Sequence, residues 1–202
     1  METDPLLYDN LASSNGLKVR ILLAELGQTV TTMAVSLDEP RPKSYLALHP
    51  FGTVPCLVDG ELTIVESNTI LRYLASAARR DDLYPADPAR RARVDMLLDA
   101  LSLSVRPDLW GVEESVIYGV ALPPHAAAER VAKLTTTLDR FERLLVANVP
   151  YLPDVTIADI AIAGRLIHLD GLPIQLDRIP VTVRRLANVR EREAYRVAIS
   201  SD

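Results

Sequence analysis

The chain has 202 residues, of which 49% are apolar and 24% charged, and its formal net charge is −5. This length suits one large domain or two small ones with a buried core, whereas the acidic balance gives no reason to expect a nucleic-acid partner. The sequence contains no run of about 18 apolar residues, so no membrane-spanning helix is predicted. The single cysteine excludes an intrachain disulfide and a multi-cysteine metal site.

The first part of the chain alternates between short apolar runs, which predict strands, and segments with the apolar spacing of amphipathic helices. In chain order, the predicted elements are a strand over 5–8, a helix over 16–26, a strand over 30–35, a short irregular helix over 41–48, a hairpin around Asp59-Gly60 and a helix over 66–78. A strand–helix–strand start followed by a hairpin and a closing helix predicts a mixed sheet covered by helices.

The rest of the chain has only helical patterns. Residues 79–88 hold five charges and two prolines, which is typical of an interdomain linker. The following helix runs towards Tyr118, and Pro107 is expected to kink or interrupt it. The further predicted helices are a bundle-like helix with apolar residues repeating over 131–145, one over 156–169, and short pieces over 180–199. We therefore predict an α/β domain over 1–79, a linker over 80–88 and an all-α domain over 89–202.

Val54-Pro55 is the first feature with possible chemistry. A proline that opens a strand after a glycine-containing turn is a candidate for a cis peptide bond. In that geometry the main chain of Val54 would face outward, and an extended peptide would pair with it as a short added strand. A plain turn proline explains the same dipeptide equally well.

Glu66-Ser67 is the second feature, at the start of the helix over 66–78. The free N–H groups and the dipole of a helix N-terminus favour an anion. The Ser67 hydroxyl adds a donor, and the Glu66 carboxylate can accept from an ammonium group. The pair therefore suits the free end of an amino acid, although an ordinary N-cap serine also fits.

Ser13-Ser14-Asn15 is the third feature, in the loop before the first helix. A hydroxyl near a helix N-terminus can hydrogen-bond a thiolate and lower the pKa of the thiol. We expect one of these three residues to cap the helix in any case.

The three features together form a long and specific pattern. Residues 49–74 read H-P-F-G-T-V-P-C-L-V-D-G-x-x-x-x-x-E-S-x-x-I-x-x-Y-L. This segment resembles the glutathione-site signature of the glutathione transferase family, and the loop before the first helix resembles that of its bacterial, serine-type, theta- or zeta-like members. The resemblance implies a thioredoxin-like first domain and an all-helical second domain.

The resemblance also implies roles for single residues. The γ-glutamyl end of glutathione would bind at Glu66 and Ser67, and its cysteinyl main chain would pair with Val54 beside the cis proline, Pro55. Thr53 falls in the same binding segment, where a glutamine or lysine is common. The thiolate would accept a hydrogen bond from Ser13, with Ser14 and Asn15 as alternatives.

In the second domain, residues 156–161 resemble the buried helix start of the family, where Thr156 and Asp159 would form a structural capping box. The electrophile would bind in an apolar pocket for which Leu109, Trp110 and Tyr118 are candidates. Ordinary core positions would explain these three residues equally well.

The function implied is a cytoplasmic, homodimeric detoxification enzyme that activates glutathione, as a co-substrate, for attack on a small hydrophobic electrophile. No metal, nucleic acid or membrane is expected. Three alternatives stay open: a maleylacetoacetate-type isomerase, a glutathione-dependent disulfide reductase, and a non-catalytic binding or regulatory protein of the same fold. Asn15 stands where the isomerase class has cysteine, and Thr53 is the substitution that keeps the non-catalytic alternative open.

Overall fold

The computed structural model describes residues 5–200. Within that range the strands are β1 (Leu6–Asp9), β2 (Thr31–Ala34), β3 (Cys56–Asp59) and β4 (Leu62–Val65). The α-helices are α1 (Ser14–Glu25), α2 (Lys43–Leu48), α3 (Ser67–Ala77), α4 (Pro88–Ala100), α5 (Arg106–Val116), α6 (Pro124–Asn148), α7 (Ile157–Arg165), α8 (Pro180–Arg190) and α9 (Glu193–Ser200). The predicted fold class, an α/β first half followed by a helical second half, is confirmed.

The four strands form a single mixed sheet in the order β2-β1-β3-β4. β1 is parallel to β2 and antiparallel to β3, and the β3–β4 pair is the hairpin predicted around Asp59-Gly60. Gly60 has a φ of +59°, the left-handed conformation that this tight turn requires. The topology places the last residues of β1 and the first residues of β3 at the same end of the sheet, since the two strands run in opposite directions.

Helix α1 connects the two halves of the molecule. It packs against α3 on the sheet side and against α7 and α9 of the helical half. Leu22 on α1 and Ile160 on α7 belong to the same buried apolar cluster, which runs through both halves. The predicted linker contributes to it as well, because Leu83 is 2% exposed and its carbonyl accepts a hydrogen bond from the Ile157 N–H. A continuous core of this kind holds the two halves in one arrangement.

Pro107 interrupts the helix that begins at Pro88, as predicted, and the interruption takes the form of a π turn. The turn spans Leu101–Val105 and joins α4 to α5, with the Arg106 N–H donating to the Leu101 carbonyl. Proline has no N–H to return to the carbonyl four residues earlier, so a wider turn at this point keeps the chain helical. Such turns change the direction in which the next helix presents its side chains.

Helix α7 begins where the sequence predicts but ends earlier. Thr156 and Asp159 form a capping box at its start, and the Asp159 carboxylate accepts from both the N–H and the hydroxyl of Thr156. The predicted end at residue 169 is wrong: the helix stops at Arg165, because Leu166 turns to a ψ of 30°. Arg190 then donates to the carbonyl of Ile167, which satisfies an acceptor freed by the early end. No helix within residues 5–200 is long and apolar enough to cross a membrane.

Candidate functional site

A cleft of about 430 Å³ opens between this end of the sheet and the helical half. Its walls come from the loop before α1, the segment before β3, and helices α5 and α7. The lining residues are Asn10, Ala12, Ser13, Ser14, Asn15, Leu37, Asp38, Arg41, Gly52, Thr53, Val54, Arg106, Trp110, Tyr118 and Arg165. A cleft of this size suits a small ligand of drug-like or peptide size.

The Val54-Pro55 peptide bond is cis. Val54 lines the cleft, and its side chain is buried. Among residues 5–200 its main-chain N–H and C=O have no hydrogen-bond partner. A main-chain pair without partners, directly before a strand, can bind an extended peptide that pairs with it as a short added strand.

The three candidate thiol partners line the cleft at the N-cap and first turn of α1. Ser13 is the N-cap of α1, and its Oγ accepts from the Gly16 N–H at 3.1 Å, so its own hydroxyl proton remains available. The Ser14 Oγ accepts from the Arg165 guanidinium at 2.5 Å. The Asn15 Oδ1 accepts from the Ser67 hydroxyl at 3.5 Å, a long contact that links this loop to the start of α3.

Arg165 is the central charge behind this loop. Its side chain is 5% exposed, and it forms an ion pair with Glu113 at 3.4 Å. Glu113 also contacts the ring of His168, whose Nδ1 lies 3.2 Å from the carboxylate. Burial is the largest influence on the pKa of Arg165 and lowers it, Glu113 opposes that shift, and Arg106 adds to it. The Glu113 carboxylate therefore stabilises the charged form of Arg165, which burial disfavours.

Glu66 and Ser67 lie at the N-terminus of α3 and do not line the cleft itself. Glu66 has a φ of 67° and a ψ of 110°, a strained conformation for a residue with a side chain. Its carboxylate does not cap the helix, and no ion pair to it occurs within the described residues. Ser67 is buried at the first position of the helix. This end therefore keeps free N–H donors beside an unpaired carboxylate.

Thr53 lies at the rim of the cleft with its hydroxyl already engaged. The Thr53 Oγ1 lies 2.9 Å from the Nε2 of His49, and the Thr53 carbonyl accepts from the Tyr45 hydroxyl at 2.5 Å. His49 is buried, and burial lowers the pKa of its imidazole. Thr53, the residue that stands where the family commonly has glutamine or lysine, is therefore held by His49.

The aromatic wall of the cleft consists of Trp110 and Tyr118, whose ring centroids are 5.5 Å apart. Both are partly open to solvent, with exposed fractions of 43% and 52%. The prediction that Leu109 belongs to this wall requires correction, because Leu109 is fully buried in the bundle core. Neighbours on a helix point about 100° apart, so Trp110 faces the cleft while Leu109 faces the interior.

The sequence analysis missed Arg165 and Arg106 as cleft residues. Arg165 ends α7 directly after the uncharged run over 160–164, and a charged residue at the end of such a run was a signal in its own right. Arg106 lines the cleft at the start of α5 and is exposed, and its side chain forms no hydrogen bond or ion pair within residues 5–200. The sequence pattern does not reveal that these two side chains line the same cleft, because the π turn sets the direction of α5.

The chain is similar to known proteins in both sequence and fold. Residues 6–76 match the family model described as the N-terminal domain of glutathione S-transferase. Glutathione S-transferase F10 of Arabidopsis thaliana is 33% identical over 150 residues, which are 70% of this chain and 70% of that protein. The stringent starvation protein A homolog of Coxiella burnetii is 27% identical over 91% of this chain and 85% of its own length.

Among solved structures, Ure2p in complex with glutathione has a TM-score of 0.84 at 21% identity, covering 100% of this chain and 95% of that one. At that identity the likeness shows the fold. The identity and coverage of the Arabidopsis relative, together with the matched N-terminal domain, show the family. The chain belongs to the glutathione S-transferase family.

Proposed function

We propose that this protein binds glutathione in the cleft and transfers it to a small electrophile. The observation that carries the proposal is the unpaired main chain of Val54 in the same cleft as the Ser13 and Ser14 hydroxyls. The cysteinyl main chain of glutathione pairs with Val54 beside Pro55, which brings the thiol toward the loop before α1. Glu66 and Ser67 hold the γ-glutamyl end, because a carboxylate suits the free N–H groups of α3 and an ammonium suits Glu66.

Ser13 is the proposed hydrogen-bond donor to the thiolate. Its oxygen already accepts from the helix, so its proton is free to bond sulfur at the positive end of the α1 dipole. Ser14 and Asn15 are the alternative donors, and Ser14 would couple the thiolate to the Arg165 charge. A free thiol has a pKa of about 8.5, so lowering that pKa by about two units, or about 3 kcal/mol, makes the thiolate the main form at neutral pH.

The reaction follows from this arrangement. The thiolate sulfur forms a bond to an electrophilic carbon, the leaving group departs with its electron pair, and the thiol proton goes to solvent. We also propose a homodimer in the cytoplasm with a role in detoxification. Light scattering on the purified protein tests the dimer, and a monomeric mass would remove that part.

The test uses the purified chain, immobilised glutathione and a general aryl halide. We expect retention on the resin and conjugation above the uncatalysed rate. Ser13→Ala is expected to retain glutathione binding and to lose about tenfold or more in kcat/KM at neutral pH, as removal of a transition-state donor does. The same measurement on Ser14→Ala and Asn15→Ala assigns the donor among the three residues.

Each outcome decides one part. If Ser13→Ala keeps full activity and Ser14→Ala loses it, Ser14 is the hydrogen-bond donor to the thiolate. Binding to the resin without conjugation in any variant removes the transferase and leaves a glutathione-binding protein. Activity with a disulfide or a maleyl-type acid instead of the aryl halide replaces transfer with reduction or isomerisation. Absence of glutathione binding overturns the proposal as a whole.

A further inference from the structure

The helical wall of the cleft combines two exposed aromatic rings with an unpaired cation. Arg106 and Trp110 are four residues apart on α5 and therefore lie on the same helix face. Tyr118 adjoins Trp110. Within the described range, Arg106 is the one arginine of the cleft whose side chain has neither a hydrogen bond nor an ion pair, since Arg41 donates to the Gly52 carbonyl and Arg165 pairs with Glu113.

The charges around the cleft do not balance. Three guanidinium groups and one carboxylate, Asp38, line it, and Glu113 behind the lining pairs with one of the three, Arg165. Directly behind it, burial and then the like charge of Arg165 lower the pKa of Lys18 to about 7. The charge of Arg106 adds to the lowering of the pKa of both Lys18 and Arg165, while Glu66 opposes it at Lys18. A cleft that concentrates one sign of charge attracts and holds a ligand of the opposite sign.

Arg165 adds an unsatisfied donor to this field. Although its side chain is almost completely buried, its Nε–H has no hydrogen-bond partner among residues 5–200. Leaving a buried donor without a partner is unfavourable, so an acceptor that reached this N–H would stabilise the site. Arg41 lies on the sheet side beside Gly52, where the tripeptide binds, whereas Arg106 lies beside Trp110 on the helical side.

We propose that the second substrate is a planar molecule with a carboxylate, whose ring packs on Trp110 and Tyr118 and whose carboxylate pairs with Arg106. Arginine suits this role because its planar guanidinium binds carboxylates with two parallel hydrogen bonds. The exposed ring faces supply the apolar contact that orients the reacting carbon. This inference rests on the proposed transfer function and narrows its electrophile from an apolar molecule to an anionic one.

The test compares a chloronitrobenzoate with the chloronitrobenzamide of the same ring pattern, two molecules that differ in charge at one group. Trp110 is the only tryptophan in the chain, so quenching of its fluorescence reports binding in the cleft without any reaction. The tripeptide site is filled with S-methylglutathione, which has no free thiol. We expect the benzoate to bind about tenfold more tightly than the benzamide, a difference of about 1.4 kcal/mol.

Two variants assign that preference to a residue. In Arg106→Gln the ratio of the two dissociation constants should fall to about one, and in Arg106→Lys it should be partly retained. Arg184→Gln, an exposed arginine on α8 outside the cleft, should leave the ratio as in the parent protein. In the parent protein the preference should also weaken as salt is raised.

Equal binding of the two probes by the parent protein overturns the inference, as does a ratio that survives in Arg106→Gln. If Arg106→Gln misfolds, the inference is still tested, because the salt dependence and the ratio of the two dissociation constants are measured on the parent protein. The proposed function is scored separately by conjugation of the same probes with glutathione. Benzoate preference without conjugation removes the transferase and keeps the anion site, and conjugation without preference does the reverse.

Discussion

Arg165 and Ser14 are joined by a hydrogen bond of 2.5 Å from the guanidinium to the serine Oγ, although 151 residues separate them. The bond links the end of α7 in the helical half to the first residue of α1 in the sheet half. It holds a buried positive charge against the start of α1, where the candidate thiol partners lie. The serine oxygen accepts, so its hydroxyl proton becomes a stronger donor toward any anion in the cleft.

Replacing Arg165 with glutamine should therefore change the pH dependence of catalysis. Without the charge, the thiol of bound glutathione should ionise at higher pH, so kcat/KM near pH 6.5 should fall about tenfold while the loss near pH 9 should be much smaller. The measurement is a pH–rate profile on both proteins. Arg178→Gln is the matched control, because Arg178 pairs with Asp139 far from the cleft in an exposed pair. An equal loss at every pH would indicate a structural role only.

Glycine at position 66 should stabilise the protein and weaken glutathione binding. Glycine adopts a positive φ without a steric penalty, so Glu66→Gly relieves a strain of about 1 kcal/mol. It also removes the carboxylate proposed to accept from the γ-glutamyl ammonium. Urea denaturation and calorimetric titration with glutathione measure the two effects.

Arg79 provides the control for that variant, since it is the other non-glycine residue with a positive φ within residues 5–200 and lies outside the cleft lining. Arg79→Gly should raise stability by a similar amount and leave glutathione affinity unchanged. If Glu66→Gly binds glutathione as well as the parent protein does, the strained residue has no part in binding.

Lys18 should lower stability near neutral pH. It is 2% exposed, its Nζ donates to the Asn68 Oδ1 at 2.6 Å, and no carboxylate among residues 5–200 forms an ion pair with it. Its pKa is about 7 in the folded protein, against about 10.4 in an unfolded chain. Between these values the unfolded state binds more protons, so the stability contributed by this group rises with pH across that range and is lowest below about pH 7.

Lys18→Met tests this sign. The variant removes the buried charge and keeps the length of the side chain, so it should be more stable than the parent protein at pH 6.5 by up to about 5 kcal/mol, the full linkage limit. The advantage should shrink toward pH 10. Urea midpoints of both proteins at several pH values give the difference, in which other titrating groups cancel. A constant difference across pH would mean that Lys18 keeps an ordinary pKa.

The sequence was sufficient for the parts of this fold that depend on local rules. The hairpin at Asp59-Gly60 and the capping box at Thr156 follow from turn and cap chemistry, which acts over a few residues. The meeting of Ser14 with Arg165 was not predictable in the same way. It depends on the close packing of α1 against α7, and no periodicity records which residue of one helix faces which residue of another.

The same limit explains the error at Leu109. Its apolar character fits a ligand pocket and a bundle core equally, and only the direction of α5 after the π turn separates the two. Arg106 was overlooked for the complementary reason, since an exposed arginine on a helix is usually solvated. Its significance comes from the charges of Lys18 and Arg165 that the fold assembles next to it.

Gly164 permits the approach of α1 and α7 on which the cleft depends. A Cβ added there would lie 2.8 Å from the Lys18 Cβ and 3.0 Å from the Ser14 carbonyl oxygen, closer than side-chain carbons pack. Because one of these contacts is main chain, the strain cannot be relieved by a side-chain rotation. Gly164→Ala should therefore separate the helices, destabilise the protein by about 1–3 kcal/mol, and lower activity by displacing Ser14 from Arg165.

Gly111→Ala is the matched control, because it makes the same change within α5. Its added Cβ would lie 3.6 Å from the nearest atom, in the Arg130 side chain, which is an ordinary contact. Alanine is the better helix former by about 1 kcal/mol, so this variant should be as stable as the parent protein or more stable. Thermal melting and conjugation assays on both variants separate the effects. If Gly164→Ala behaves like Gly111→Ala, the close approach of α1 to α7 is not what positions Ser14 against Arg165.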